Sequence, residues 1–242
     1  MESAALPVTA PALRVTMWRQ LYAIVKKDIV SELRTKEMLL SMFLFAVLAM
    51  VIFHFAFSVR AQTDLTYFTG GMLWVTFVFA ALLGLNRSFV HEKDEGCLDG
   101  LLLCPVDRVT IFLAKMTGNL VFLLVIQALA VPVFTLFFVK ASYLGDLPAF
   151  LAVLVLADLG VCSVGTLLAT ISMNTKARDL MLPIVFLPLI IPVLIAATSG
   201  TTAIFAQTAS LGSLGPKLLF LAAYDGIFVL AAYGTYDFAI GE

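Results

Sequence analysis

The sequence predicts an all-α integral membrane protein with six transmembrane helices and with both chain ends in the cytoplasm. Hydrophobic residues make up 62% of the 242 residues, and the mean hydropathy is +1.04. An ordinary soluble domain has an apolar share nearer one half. Six apolar stretches each reach the roughly 20 residues that a helix needs to cross a bilayer. They leave no room for a separate soluble domain, so residues 1–242 are predicted to form a single transmembrane domain.

An amphipathic helix is predicted over residues 14–37, directly before the first span. Apolar residues recur there at three- and four-residue steps, namely Trp18, Leu21, Tyr22, Val25, Ile29 and Leu33. The opposite side is mostly basic and carries Arg19, Lys26, Lys27, Glu32 and Arg34. Such a helix is expected to lie flat in the inner membrane interface against anionic headgroups. The alternative is a cytoplasmic helix packed on the loops.

Six membrane spans are predicted from the positions of the apolar stretches. They cover about 38–58, 67–86, 117–139, 149–172, 180–198 and 218–240. The fifth contains Pro183, Pro188 and Pro192, so it is expected to be kinked or broken, because each proline removes a backbone hydrogen bond. The prolines indicate one of two roles for this span. It is either a hinge or substrate-lining element, or a helix with a static kink that packing fixes. Residues 199–217 are too long and apolar for a simple loop, so a short external helix or one dipping into the outer leaflet is expected.

The distribution of Lys and Arg predicts the orientation of the chain. With the N-terminus inside, the cytoplasmic segments carry Arg14, Arg19, Lys26, Lys27, Arg34, Lys36, Arg87, Lys93, Arg108, Lys115, Lys176 and Arg178. The outer segments carry Arg60, Lys140 and Lys217. This is the bias of the positive-inside rule. No cysteine then faces the oxidising side, so free thiols are expected at Cys97, Cys104 and Cys162.

Residues 87–116 are predicted to form a cytoplasmic segment between the second and third spans. Nine of the 31 charged residues lie between Arg87 and Lys115, which excludes this stretch from lipid. Leucines between Leu98 and Leu103 form an apolar patch, and Pro105 is expected to end any helix there. A short amphipathic helix of this kind can insert into a groove of a partner protein. The alternative is a helix packed back against its own bundle.

Ionisable residues inside spans are the candidates for transport chemistry. Asp158 lies well inside the fourth span, on a small polar face with Cys162, Gly165, Thr166 and Ala169. A role in translocation is one interpretation. The other is a protonated or hydrogen-bonded carboxyl group at a helix contact, since Gly165 and Ala169 permit close approach. Gln127 in the third span indicates a polar contact between helices.

The remaining intramembrane polar residues are interpreted as structural. Asp225 and Asp237 are expected toward the outer and inner ends of the sixth span. His54 lies near the outer end of the first span, where it is either an interfacial polar residue or a ligand of haem iron. No Cys or His pair has the spacing of a metal site, so none is predicted.

The sequence lacks the motifs of an enzyme that works alone. It contains no G-x-x-x-x-G-K-[ST] phosphate loop, no H-E-x-x-H, no G-x-S-x-G and no C-x-x-C-H attachment motif. Its only tryptophans are Trp18 and Trp74, so a Trp-rich external haem platform is absent. The energy or the ligand is therefore expected to come from another chain. Membrane lipids are the expected environment, and no nucleic-acid partner is expected.

Several stretches of the chain resemble a known family. They are Ser31–Glu37, Gly71–Val75, Glu92–Gly96, Leu98–Pro105, Ala114–Lys115 and Leu187–Thr198. From about Met17 onward the chain is similar to the haem exporter B family (CcmB), the ABC-2-like permease of the cytochrome c maturation transporter. The acidic, glycine, leucine and proline pattern is shared with many ABC-2-type exporters, and the proline-rich span makes the match more specific. Residues 1–16 and 199–217 match least.

The resemblance implies a permease in a bacterial inner membrane that works with a separate ATP-binding subunit (CcmA-like). Further implied partners are a haem-handling membrane subunit (CcmC-like) and a haem chaperone (CcmE-like). ATP would bind to the partner, haem would belong to the complex, and this chain would bind no cofactor of its own. The work would be haem export or the ATP-driven release of the haem-loaded chaperone.

By the same resemblance, one segment would contact the ATPase. The expected coupling surface consists of Glu92, Glu95, Gly96, Leu98, Leu101, Leu102, Pro105 and Arg108. Asp158, Gln127, Pro188 and Pro192 are the candidates for translocation or helix contact, and His54 for haem contact. The alternatives are a generic ABC-2 permease for a lipid, glycan or drug, a proton-coupled secondary transporter that uses Asp158, and a non-transporting assembly scaffold.

Overall fold

The helices form around apolar runs that can satisfy their backbone groups in lipid only by internal hydrogen bonds. The computed structural model describes residues 16–58, 65–94, 106–139, 142–172 and 178–239, with backbone only at 58, 88–94, 178–181 and 236–239. In these ranges the α-helices are α1 (Met17–Thr35), α2 (Glu37–Ser58), α3 (Thr66–Asp94), α4 (Arg108–Phe138), α5 (Leu147–Ser172), α6 (Arg178–Phe205) and α7 (Leu211–Ala239). A 3₁₀ turn at Leu144–Asp146 precedes α5. Helices α2 to α7 are each long and apolar enough to cross a membrane, which confirms the predicted fold class.

Helices α3 and α5 lie at the centre of the bundle. Helix α5 contacts α3, α4, α6 and α7, and most of its second half is buried. Helices α2 and α7 are peripheral and expose rows of leucine, isoleucine and aromatic residues. The polar side chains that the sequence singles out on α5 are therefore enclosed by other helices.

Helix α3 approaches α6 and α5 more closely than a larger side chain at the contact would allow. A Cβ atom at Gly70 of α3 would lie 2.6 Å from the carbonyl oxygen of Thr198 in α6. One turn further along, the Trp74 indole donates a hydrogen bond of 2.9 Å to the hydroxyl of Thr201. An added Cβ at Gly165 of α5 would overlap the Leu85 side chain of α3. Glycine at these positions lets α3 approach both α6 and α5.

Helix α4 begins earlier than the third span predicted over 117–139. It has 31 residues, so it is about 46 Å long, against a hydrocarbon core of roughly 30 Å. Its first turns, from Arg108, therefore extend beyond the hydrocarbon core on the side predicted to be cytoplasmic. The charged residues at 108 and 115 belong to this helix and not to a loop.

The structure differs from the expectation of a separate helix within 199–217. The first residues of that stretch continue α6 as far as Phe205, and its last residues begin α7 at Leu211. A connection over residues 206–210 joins the two helices, with Gln207 at a positive φ of 55°. Continuing the helices satisfies the backbone of an apolar stretch without a re-entrant turn.

Helix α6 is continuous through its three prolines, so the broken form of the fifth span is not found. Pro188 and Pro192 lie on its exposed face, and Phe186, Ile190 and Val193 turn toward the bundle. The prolines therefore remove hydrogen bonds on the side of the helix that faces away from the core.

Candidate functional site

The predicted coupling surface is flanked by two helix ends. Glu92 lies in the last turn of α3, where only the backbone is described, and Arg108 is the first residue of α4. The other predicted members lie outside the described residues, namely Glu95, Gly96, Leu98, Leu101, Leu102 and Pro105. Helices α3 and α4 contact each other, and residues 95–107 link the end of α3 to the start of α4 along the chain.

An exposed ion pair braces the α3 end. Arg87 pairs with Glu37 at the start of α2, and its guanidinium also donates a hydrogen bond of 3.0 Å to the Ser41 hydroxyl. About half of the Arg87 side chain is exposed to solvent. An exposed pair of this kind contributes at most about 1 kcal/mol, and it adds a polar contact to the packing of α3 against α2.

A buried ion pair braces the α4 end. The Lys115 Nζ lies 2.8 Å from the Asp28 carboxylate on α1, and only 2% of the Lys115 side chain is exposed. The same carboxylate lies 3.1 Å from Lys27. Sequence reasoning treated Lys115 as a cytoplasmic loop charge and missed this contact. The available signal was an acidic residue on the predicted α1 and a lysine two turns into α4.

The junction between α1 and α2 is closed by a side chain of α1. Glu32 Oε1 accepts the backbone N–H groups of Met38 and Leu39, at 2.9 and 3.0 Å. These are N–H groups of the first turn of α2, which have no partner within the helix. Lys36 adopts a left-handed conformation between the helices, with φ of 57°. Helix α1 is thus held to α2 at one end and to α4 near its middle.

The intramembrane carboxyl of Asp158 forms a buried polar contact between α4 and α5. The Gln127 amide donates a hydrogen bond of 2.8 Å to Asp158 Oδ1, and both side chains are almost wholly buried. Within the described residues, Asp158 Oδ2 and Gln127 Oε1 have no protein partner. The two residues that the sequence proposed separately therefore lie together at one helix contact.

A second contact on the same two helices lies closer to the ends that are predicted to be cytoplasmic. The Asn119 amide donates to the Thr166 hydroxyl at 3.2 Å, two helical turns from the Gln127 contact on each helix. Cys162 lies between these two contacts on α5 as a buried free thiol. The contact between α4 and α5 therefore contains two buried polar pairs within a largely apolar interface.

Asp225 lies near the middle of α7, because α7 begins at Leu211 and not near 218 as predicted. This corrects its expected place toward the outer end of the sixth span. Its side chain is 8% exposed, and neither oxygen has a hydrogen-bond partner among the described residues. Gly160 of α5 makes room for it, since an added Cβ there would lie 2.9 Å from the Asp225 carboxylate.

Tyr224, the residue before Asp225, links α7 to the proline-rich helix α6. The Tyr224 hydroxyl donates a hydrogen bond of 2.7 Å to the carbonyl oxygen of Leu189 in α6. That carbonyl lies between Pro188 and Pro192. Sequence reasoning did not identify Tyr224, because a single tyrosine in a span gives no sign of its partner.

His54 is separate from these polar contacts. Its ring lies in an aromatic cluster with Phe55, Phe137 and Phe138, with centroids 5.1 to 6.1 Å apart. The backbone of Asp237 lies in the last part of α7. Among the described residues, no three His, Cys, Asp or Glu side chains come together as a metal site. The polar residues described above form ion pairs and hydrogen bonds between helices.

Comparison with known proteins places the chain among membrane exporters. The family model described as CcmB protein matches residues 19–239. A relative from Pseudomonas aeruginosa, named Heme exporter protein B, is 29% identical over 180 residues, or 74% of this chain and 78% of the relative. A protein of the same name from Rhodobacter capsulatus is 29% identical over 143 residues, or 57% of this chain and 63% of that relative.

Proposed function

The chain belongs to the CcmB protein family, and on that premise we propose that it is the membrane permease for haem export in cytochrome c maturation. It is a multi-pass membrane protein and a transporter component. The observation that carries the proposal is the family match over nearly the whole chain, including all six spans. The names of the two relatives, Heme exporter protein B, support haem as the cargo of the system.

The energy for export comes from a separate ATP-binding subunit. The sequence has no phosphate loop, so ATP has no site of that kind on this chain. The partner would dock on the coupling surface between the ends of α3 and α4. A haem-handling membrane subunit and a haem chaperone complete the proposed assembly, which belongs to a bacterial inner membrane.

The braces around the coupling surface support a mechanical role for it. A movement imposed on residues 95–105 acts on α3 and α4, whose ends they join. Arg87 ties α3 to α2, and Lys115 ties α4 to α1. Helices are stiff, so a displacement at one end is carried across the membrane. Docking of the ATPase would thereby act on four helices through one short segment.

Co-purification of the ATPase tests the proposal. We expect an ATP-binding subunit to co-purify with the wild-type chain in detergent and to be lost from the Leu101→Asp/Leu102→Asp variant, because charge disrupts an apolar docking patch. The matched control is Leu144→Asp/Leu211→Asp, which makes the same change at two exposed leucines on the predicted outer side. Absence of an ATPase from the wild-type sample, or its full retention by the first variant, would contradict the proposed coupling.

A further inference from the structure

We propose that α1 forms a binding site for anionic phospholipids of the membrane leaflet on its side of the bundle. The site consists of a basic face, Arg19, Lys26, Lys27 and Arg34, and an adjoining apolar edge, Trp18, Tyr22 and Leu33. This goes beyond the proposed export function and does not depend on it. Three observations support it. The acidic residues of α1 contact other parts of the protein, the basic residues remain on the exposed face, and exposed apolar residues lie beside that face.

The acidic residues of α1 are turned inward. Asp28 is committed to Lys115 of α4 at 2.8 Å, and Glu32 accepts two N–H groups at the start of α2. Their negative charge is therefore directed mainly toward α2 and α4, and on the exposed side Asp28 contacts Lys27. The sequence shows four basic and two acidic residues on this helix, but the structure shows that the acids do not share the exposed face.

The basic residues are left on the exposed face. Within the described part of the chain, Arg19, Lys26 and Arg34 are exposed and have no acidic partner, and Lys27 lies 3.1 Å from Asp28. A shallow groove runs along this face and is lined by the basic residues Lys26, Lys27 and Arg34, the hydroxyl residues Ser31 and Thr35, and the apolar residues Ala23 and Val30. A groove bordered by Lys26 and Arg34, which have no acidic partner among the described residues, and by the Ser31 hydroxyl suits a phosphate group.

The apolar edge lies beside this basic face. At about 3.6 residues per turn, the edge falls between the packed face of α1 and its basic face. The exposed fractions are 75% for Trp18, 66% for Tyr22 and 55% for Leu33. Trp and Tyr concentrate at the headgroup level of membranes, where one end of the ring is apolar and the other is wet.

This combination selects a lipid over an acidic protein. A phospholipid carries an acyl chain next to an anionic phosphate, and α1 presents an apolar edge next to a basic groove. An acidic protein surface would neutralise the charge but would leave Trp18 and Leu33 without an apolar partner. A lipid bound to α1 would contact a helix that is itself attached to α4, because Asp28 on the packed face of α1 pairs with Lys115.

The two tryptophans allow a direct test. Trp18 is exposed, whereas Trp74 is 1% exposed and bonded to Thr201, so the Trp18→Phe variant gives the background emission. The full-length chain is placed in nanodiscs with equal mole fractions of brominated phosphatidylglycerol or brominated phosphatidylcholine. We expect the anionic lipid to quench Trp18 more strongly, and high salt to weaken this preference.

Charge removal then tests the basic face. Each Lys or Arg near an anionic surface corresponds to about a fivefold change in lipid partitioning, so Lys26→Gln/Arg34→Gln should lower the preference by at least about fivefold. The control Lys140→Gln/Lys217→Gln removes equal charge on the predicted outer side and should leave the preference unchanged.

Equal quenching of wild type by both lipids would overturn the proposal. So would an unchanged preference in Lys26→Gln/Arg34→Gln, and an ATPase lost from that variant would then assign the face to a protein. The quenching measurement itself uses no ATPase, so it tests lipid binding to α1 independently of the export proposal.

Discussion

Asp158 is wholly buried inside the bundle, and its hydrogen-bond partner among the described residues is Gln127. The hydrogen bond that this carboxyl oxygen accepts stabilises the contact between α4 and α5, whether or not Asp158 also carries protons during transport. Asn keeps an acceptor oxygen and nearly the same volume. Leu has the same branching at Cγ, but it is larger and removes the acceptor, which crowds the contact and leaves a buried amide without a partner.

We expect Asp158→Asn to support haem export at nearly the wild-type level, measured as cytochrome c formation in cells. Asp158→Leu should lower the stability of the purified protein by about 1 kcal/mol, the typical size of a hydrogen bond between membrane helices. Thermal unfolding in detergent measures the second effect. Loss of export in Asp158→Asn, together with normal export when the ATPase partner is inactive, would instead favour proton-coupled secondary transport.

At the scale of the helices, two ion pairs with different burial allow a matched comparison. Lys115→Met removes the buried partner of Asp28, which keeps only its contact with Lys27. We expect a loss of about 3 kcal/mol, because removing the buried partner leaves the half-enclosed Asp28 carboxylate beside an exposed lysine alone. Arg87→Met breaks the exposed pair between α3 and α2 and should cost at most about 1 kcal/mol. Thermal unfolding measures both, and equal shifts would show that the Lys115 pair is not buried in the protein.

The close contact of α3 with α6 depends on Gly70 more than on the adjacent Gly71. A methyl group at Gly70 would meet a backbone carbonyl at 2.6 Å, whereas at Gly71 the nearest atom is 3.8 Å away. Gly70→Ala should therefore destabilise the protein by about 1 to 3 kcal/mol, and Gly71→Ala should be neutral or slightly stabilising. Size-exclusion chromatography after heating compares the two variants. A Gly70→Ala protein as heat-resistant as Gly71→Ala would show that α3 and α6 are farther apart than described.

At the scale of the whole molecule, the native cysteines report the orientation of the bundle. Cys97 and Cys104 lie in the segment predicted to be cytoplasmic, and Cys162 is buried. A membrane-impermeant thiol reagent should label the wild-type chain in inverted vesicles but not in intact spheroplasts. Labelling should disappear in Cys97→Ser/Cys104→Ser. In that background, Leu211→Cys places a thiol at an exposed position on the opposite side and should reverse the pattern. Wild-type labelling from outside would reverse the assigned orientation.

The sequence predicted the fold class because a bilayer imposes a length and a composition on every span. It also predicted α1 from its periodicity. It did not predict where α6 ends and α7 begins, because both helices extend through an apolar stretch that has no polar boundary. Asp225 therefore lies near the middle of α7 and not near its outer end.

What the sequence determined by itself is the number of spans, the orientation expected from the basic residues, and the position of a charged segment that cannot enter lipid. The tertiary structure alone decided which polar groups meet. Lys115 finds Asp28 across 87 positions of the chain, and Gln127 finds Asp158 on the next helix. Periodicity identifies the face of a helix that is polar or apolar, but not the helix that covers it. That choice depends on close approach at small residues and on the pairing of buried charges, which only the packed bundle settles.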